Sequence, residues 1–236
     1  MKVQESISLA CRILASNQQG DSLLGHVSRR CDVDESFWMK AAGYGLEEIN
    51  AQRVLRLHFD GTMLEGLGRR HHEWPLHAEI YRRRPDVQAI VHTHAFFAST
   101  LSSLQQELEP LHYEGALFAP GNLAHFTRTA HLVTTSTMGE EIATTLADRS
   151  ALLLRNHGLI TVADTLEDAC MLALHLERAC EMQIIALQTG VTRWTMNEEE
   201  VYEKRAMYRD GQMGQLLWDY YQRNLQPEYV PLPYYK

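Results

Sequence analysis

"AIVHTHAFF", residues 89–97, ends an apolar run of β-forming residues on two histidines one residue apart. Side chains along a strand alternate between its two faces, so His92 and His94 leave one side and Thr93 the other. Two imidazoles are thereby aimed at one point. A pair of surface histidines at a strand end would look the same, and a third ligand has to decide. Working outward, "SALLLRNHGLITV" (150–162) reads as a second apolar strand interrupted at Asn156-His157-Gly158. A histidine wedged between an apolar strand and a glycine can leave the sheet edge and turn toward a neighbouring strand's end. His157 is therefore the expected third ligand. His-x-His with one distant histidine is the donor logic of catalytic zinc and related sites, which keep a position open for water or substrate. Glu73 is the best carboxylate to complete the set. It stands at the start of "EWPLHAEIYRRRP" (73–85), a helix with Pro75 as a first-turn proline and Pro85 as its stop, leading directly into the His92 strand.

The remaining periods describe helices around a sheet. "SISLACRILASNQ" (6–18) places Ile7, Leu9, Ala10, Ile13 and Leu14 on one helical face. "GHVSRR" and "ESFWMK" read as short strands on either side of the Cys31–Asp34 turn, and "RVLRLHFDG" alternates up to an Asp60-Gly61 turn. "DTLEDACMLALHLERACEMQIIALQTG" (164–190) is a long helix, with Thr165 and Asp168 suited to an N-terminal capping box and Gly190 to its end. Residues 197–224 read as one last amphipathic helix, followed by an extended, proline-punctuated tail. No repeat or linker divides the chain, so a single domain over 1–236 is expected, with the segment from about 197 onward and its aromatic run Trp218, Tyr220, Tyr221 at a subunit interface.

Composition narrows the function. With 236 residues, 45% hydrophobic and 22% charged, the chain can bury one substantial core. A net charge of −8 with both signs interleaved offers no basic stripe to nucleic acid or to an anionic membrane. The four cysteines follow no C-x-x-C spacing, and neither a signal peptide nor an apolar run of membrane-spanning length is present, which points to reduced thiols in a cytoplasmic protein. Twelve histidines are more than packing needs. "HHEWPLH" evokes the H-E-x-x-H zinc-protease helix, but the second histidine would fall on Leu76, and Pro75 breaks the helix.

"HHEWPLHAEIYRRRPDVQAIVHTHA" and "LLLRNHGLITV" together resemble the class II aldolase/adducin family, a likeness that runs from Gly25 to about Gly190. The resemblance implies a three-layer α/β/α sandwich with a central mixed, mainly antiparallel sheet, commonly a homotetramer with active sites between subunits. It implies one divalent metal per chain on His92, His94 and His157, with Glu73 as ligand or adjacent acid/base. It also implies a role for Tyr113 of "LHYEG" across a subunit boundary. Zinc or manganese is the first choice of metal, with magnesium, cobalt or iron open.

The departures from the family's sugar-phosphate aldolases carry the most information. Their Gly-Asn-x-Ser is Gly25-His26-Val27-Ser28 here, their hydroxyl-bearing Thr-Pro-Thr-Gly turn is Lys40-Ala41-Ala42-Gly43, and the Ser-Ser before the glutamate is His71-His72. An amine and three imidazoles replace hydroxyls that would cradle a phosphate. His26, Ser28, Arg30, Lys40, Gly43, His71 and His72 are accordingly the expected substrate-binding set, and a small carboxylic acid the expected substrate. A decarboxylase of a hydroxylated aromatic or ring-cleavage-derived acid is the leading expectation. A class II aldolase acting on a hydroxyketone is the alternative; a non-catalytic adducin-like module and an iron-dependent oxygenase are the others weighed.

Overall fold

Ala89–Thr93 is a strand buried on both faces, because a helical layer covers each side of it. Ala89 and Val91 point into one apolar core and Ile90 into the other. The computed structural model describes residues 1–210 and 212–225. In chain order the elements are α1 (Val3–Leu14), β1 (His26–Arg30), β2 (Ser36–Lys40), β3 (Val54–His58), β4 (Met63–Glu65), α2 (Trp74–Arg83), β5 (Ala89–Thr93), α3 (Phe96–Ser102), α4 (Tyr113–Ala116), β6 (Leu123–Phe126), α5 (Ser136–Leu146), β7 (Ala151–Leu154), β8 (Gly158–Ala163), α6 (Leu166–Gln188), α7 (Glu198–Asp210) and α8 (Met213–Asn224).

The eight strands form one sheet in the order β4-β3-β2-β1-β5-β8-β7-β6, antiparallel throughout except for the parallel β6–β7 pair. Helices α1, α3, α4 and α6 cover one face, with α8 packed on α6; α2 and α5 pack together on the other. This is the three-layer α/β/α sandwich with a mixed, mainly antiparallel sheet. Among the described residues no helix is long and apolar enough to cross a membrane.

The register places the chemistry. β5 lies between β1 and β8, with His26 opposite His92 and Thr93 opposite Leu159, so the strand that carries the His-x-His is flanked by the ends of two others. Glu73 stands at the N-cap of helix α2, with Pro75 in the first turn, and the buried face of Leu76, His77, Ile80 and Tyr81 lies over β1. Thr165 caps α6 by accepting from the Asp168 amide.

Three readings change. Residues 150–162 form two strands, not one interrupted strand: β7 turns back into β8 through Asn156, whose φ of 55° lets the chain reverse. The segment 197–224 is two helices, α7 and α8, with Gln212 in the left-handed region between them. Within α8, Trp218 is only 2% exposed and fills the chain's own core, because α8 folds back on α6; Tyr220 faces outward. The tail from 226 onward lies outside the described residues. Local periodicity gave no sign of α3, α5 or the parallel strand β6.

Candidate metal centre

Four side chains from three places converge at the end of β5. His92 closes the strand, His94 follows one residue beyond it, His157 sits in the β7–β8 turn, and Glu73 is at the start of α2. One donor atom from each lies within 4.8 Å of all the others. Gly158 makes the approach of the turn to the strand possible, since a Cβ there would overlap the Thr93 carbonyl oxygen and crowd the His94 ring at 3.1 Å.

Hydrogen bonding fixes which nitrogens face the centre. His92 donates from Nδ1 to the Leu159 carbonyl at 2.8 Å, and His94 donates from Nδ1 to Asp21 Oδ2 at 3.0 Å. In a neutral imidazole this leaves the Nε2 lone pair of each ring free, yet these two Nε2 atoms stand 3.2 Å apart. Two lone pairs at that separation repel unless a cation lies beside them. The His157 Nε2 is buried with no hydrogen-bond partner among the described residues, 3.8 Å from Glu73 Oε2, which is itself 3.7 Å from His92 Nε2. Imidazole nitrogens from three rings and a carboxylate oxygen fit a divalent metal cation. The chemistry of this donor set, with its orphaned His157 nitrogen, is what the centre is built for.

Electrostatics agree. Burial pushes the His92 pKa well below the ordinary histidine range, reinforced by neighbouring imidazoles, and burial also lowers that of His157. Both rings are therefore neutral, the form that ligates. Burial opposes ionisation of Glu73, while the Val133 amide, which donates to Oε1 at 2.9 Å, favours the carboxylate, and the carboxyl lies below its usual range.

The other expected site residues divide into three groups. His26 and His71 reach the centre: their rings lie 4.8 Å apart, His26 is 4.7 Å from the His92 ring, and the His71 Nε2 is buried without a partner. His72 and Gly43 are exposed on the adjoining loops. The remainder are turned elsewhere. Ser28 points under α2, where it pairs with His77 and Tyr81. The Arg30 guanidinium donates to the carbonyls of Val87, Tyr81 and Arg84, tying β1 to the end of α2. Lys40, expected to bind substrate, is fully buried; it shares the α1 face of β2 with Trp38, and its Nζ donates to the Tyr44 carbonyl at 2.6 Å. A lysine so enclosed has its charge spent on backbone oxygens. Tyr113 packs against His175 on α6, and its hydroxyl is buried without a partner.

One group escaped sequence reasoning, and the partners of another were not legible in it. Asp21 lies in an irregular loop and meets His94 only because Gln19 anchors that loop, accepting from the Thr93 hydroxyl and donating to the Ala173 carbonyl. No spacing announces such a contact. His77 is visible one turn beyond Glu73, but its partners on β1 are set by the packing of α2 on the sheet.

Three imidazoles and a carboxylate at the end of the central strands of an α/β/α fold make a site able to hold a divalent metal. The family described as Class II Aldolase and Adducin N-terminal domain matches residues 5–184, and the chain belongs to it. A solved aldolase II superfamily protein from Pseudomonas syringae superposes with a TM-score of 0.83 at 26% identity, covering 95% of this chain and 94% of that one. The 3,4-dihydroxyphthalate decarboxylase of Arthrobacter keyseri is 30% identical over 199 residues, 79% of each protein. The 5-deoxy-D-ribulose 1-phosphate aldolase of Bacillus thuringiensis serovar kurstaki is 35% identical over 137 residues, 56% of this chain and 62% of that protein. The chain is thus a lyase of the class II aldolase type, with a His/Glu set suited to a divalent metal.

Proposed function

We propose that this enzyme decarboxylates a small hydroxylated, aromatic or ring-cleavage-derived, carboxylic acid in the cytoplasm. The observation that carries the reading is the pair His26 and His71. Two buried imidazoles stand beside the metal donors where sugar-phosphate aldolases of the family carry the asparagine and hydroxyls of their phosphate cradle. Imidazole N–H groups and a neighbouring cation suit a compact carboxylate better than a flexible phosphate ester. The likeness to a 3,4-dihydroxyphthalate decarboxylase along 79% of both chains supports the same choice.

A divalent cation on His92, His94, His157 and Glu73 would supply a Lewis acid beside the substrate's oxygens. The chain's own residues supply the rest. His26 and His71 hold the acid by its oxygens. As the bond to the carboxyl carbon breaks, its electron pair stays on the substrate and CO2 leaves. A neighbouring histidine, or Glu73 once it has taken up the proton of a substrate hydroxyl, then delivers a proton to the carbon that lost CO2. The working form in this reading is a homo-oligomer, a tetramer, with Tyr113 serving a neighbouring subunit's site.

Aldol cleavage is the second reading, favoured by the shorter but closer likeness to a 5-deoxy-D-ribulose 1-phosphate aldolase. The test is a screen of metal-loaded enzyme on carboxylated catechols, 3,4-dihydroxyphthalate among them, and on a hydroxyketone phosphate, with CO2 read against aldehyde. CO2 release, with solvent deuterium at the carbon that lost it, is the expected result. Aldehyde release at an ordinary enzymatic rate with no CO2 from any acid would overturn the reading.

A further inference from the structure

A line of hydrogen bonds runs from the metal centre into the core beneath α2. His26 Nε2 stands 3.5 Å from Glu73 Oε2, and His26 Nδ1 pairs with His77 Nε2 at 2.7 Å. His77 Nδ1 pairs with the Ser28 hydroxyl at 2.6 Å, and that hydroxyl pairs with the Tyr81 hydroxyl at 2.7 Å. All of these groups are buried, and the line ends inside the protein at Tyr81.

Such a line has two possible polarities, and both of its ends choose the same one. At the outer end a carboxylate oxygen 3.5 Å away favours, without compelling, a hydrogen on the His26 atom that faces it, since a lone pair there would be repelled. At the inner end, the Tyr81 hydroxyl has Ser28 as its hydrogen-bond partner. If Ser28 donated to Tyr81, the tyrosine hydrogen would be buried with no acceptor among the described residues. Tyr81 therefore donates to Ser28, Ser28 to His77, His77 to His26, and His26 presents Nε2–H to the centre. Burial pushes His77 down to about 3, so its ring is neutral and has a single hydrogen to place.

We propose that His77, Ser28 and Tyr81 are positioning residues that lock His26 as the Nε2–H tautomer, making it a fixed hydrogen-bond donor to a substrate oxygen beside the metal donors. The lock has a second consequence. His26 Nδ1 is occupied and Nε2 bears a hydrogen, so this ring, although 4.7 Å from His92, is kept out of the ligand set. At 3.5 Å its bond to Glu73 is at the outer limit of hydrogen bonding, and the hydrogen is available to an oxygen that comes closer. Because the line is closed at Tyr81, it orients His26 and does not conduct protons to solvent. The substrate part of this inference rests on the proposed function; the tautomer does not.

Nitrogen-15 NMR of histidine-labelled, zinc-loaded protein reads the tautomer directly. The expected spectrum has His26 protonated at Nε2 and bare at Nδ1; a His26 protonated at Nδ1, or a mixture of both forms, overturns the lock. His77→Leu removes the donor to Nδ1 and should release His26 into a mixture. His77→Gln, whose amide reaches the same place with an N–H, should restore the single form, and failure of that rescue counts against the assignment. Zinc content should be unchanged in both variants. Calorimetry with 2,3-dihydroxybenzoate as probe should show about a tenfold loss of affinity in His77→Leu and recovery in His77→Gln. A locked tautomer with no binding of the probe to the wild type would refute the carboxylate reading and leave the lock standing. If His77→Leu does not fold, the wild-type spectrum and His77→Gln decide the question.

Discussion

Replacing Asp21 by alanine separates a group that holds a ligand from a ligand itself. Asp21 touches none of the other donors; it accepts from His94 Nδ1 at 3.0 Å and thereby aims the opposite nitrogen at the centre. Partners of this kind typically contribute a factor of about 10 to 100 in metal affinity. The Asp21 side chain is 48% exposed, so water can take over part of its bond once it is removed, which puts the loss near the lower figure, about tenfold or about 1.4 kcal/mol. His94→Ala is the comparison. Sharing the roughly 10–16 kcal/mol of a four-donor zinc site among its ligands puts about 3 kcal/mol on each, a loss of more than a hundredfold. Zinc affinities of both variants, measured by competition with a chromophoric chelator at fixed pH, should therefore fall in that order. Asp21→Ala binding zinc within twofold of the wild type would refute the argument from ligand orientation. A loss as large as that of His94→Ala would make Asp21 a ligand in its own right.

Two further outcomes follow from burial and close approach. Gly158→Ala should cost about 1–3 kcal/mol of stability in chemical denaturation and weaken zinc binding at least tenfold, because the new Cβ displaces Thr93 and His94 together; unchanged affinity would mean that the turn does not set the position of His94. Stability of the metal-free protein should fall as pH is lowered from about 6.5, since burial depresses His77 to about 3 and His175 to about 4 while both rings take up protons near 6.5 once unfolded. The unfolded chain then binds more protons than the folded one throughout that window, so unfolding free energy rises with pH, on the order of 2 kcal/mol per unit between pH 5 and 6. Urea titrations at those two pH values check it, and His175→Leu should flatten the slope.

What could be read from the chain alone is whatever local period and spacing encode. The two-residue repeat put His92 and His94 on one side of a strand, the glycine after His157 marked a turn, and Pro75 located the start of the helix that carries Glu73. Those residues, with the resemblance they carry, led to the family, the layered fold and the metal donors. Tertiary structure decided the rest, because it depends on which segments become neighbours. Strand order placed β1 beside β5 and so made His26 a neighbour of His92, and the packing of α2 turned Ser28 inward to His77. Lys40 was expected to bind substrate because its type favours the surface, yet β2 carries it onto the covered α1 face, where backbone carbonyls take its hydrogens. Asp21 reaches His94 across 73 positions of sequence, a contact set by the anchoring of Gln19 to β5 and α6. A hydrogen-bond partner supplied by a distant loop leaves no period in the sequence, since nothing constrains the residues between the two ends to repeat.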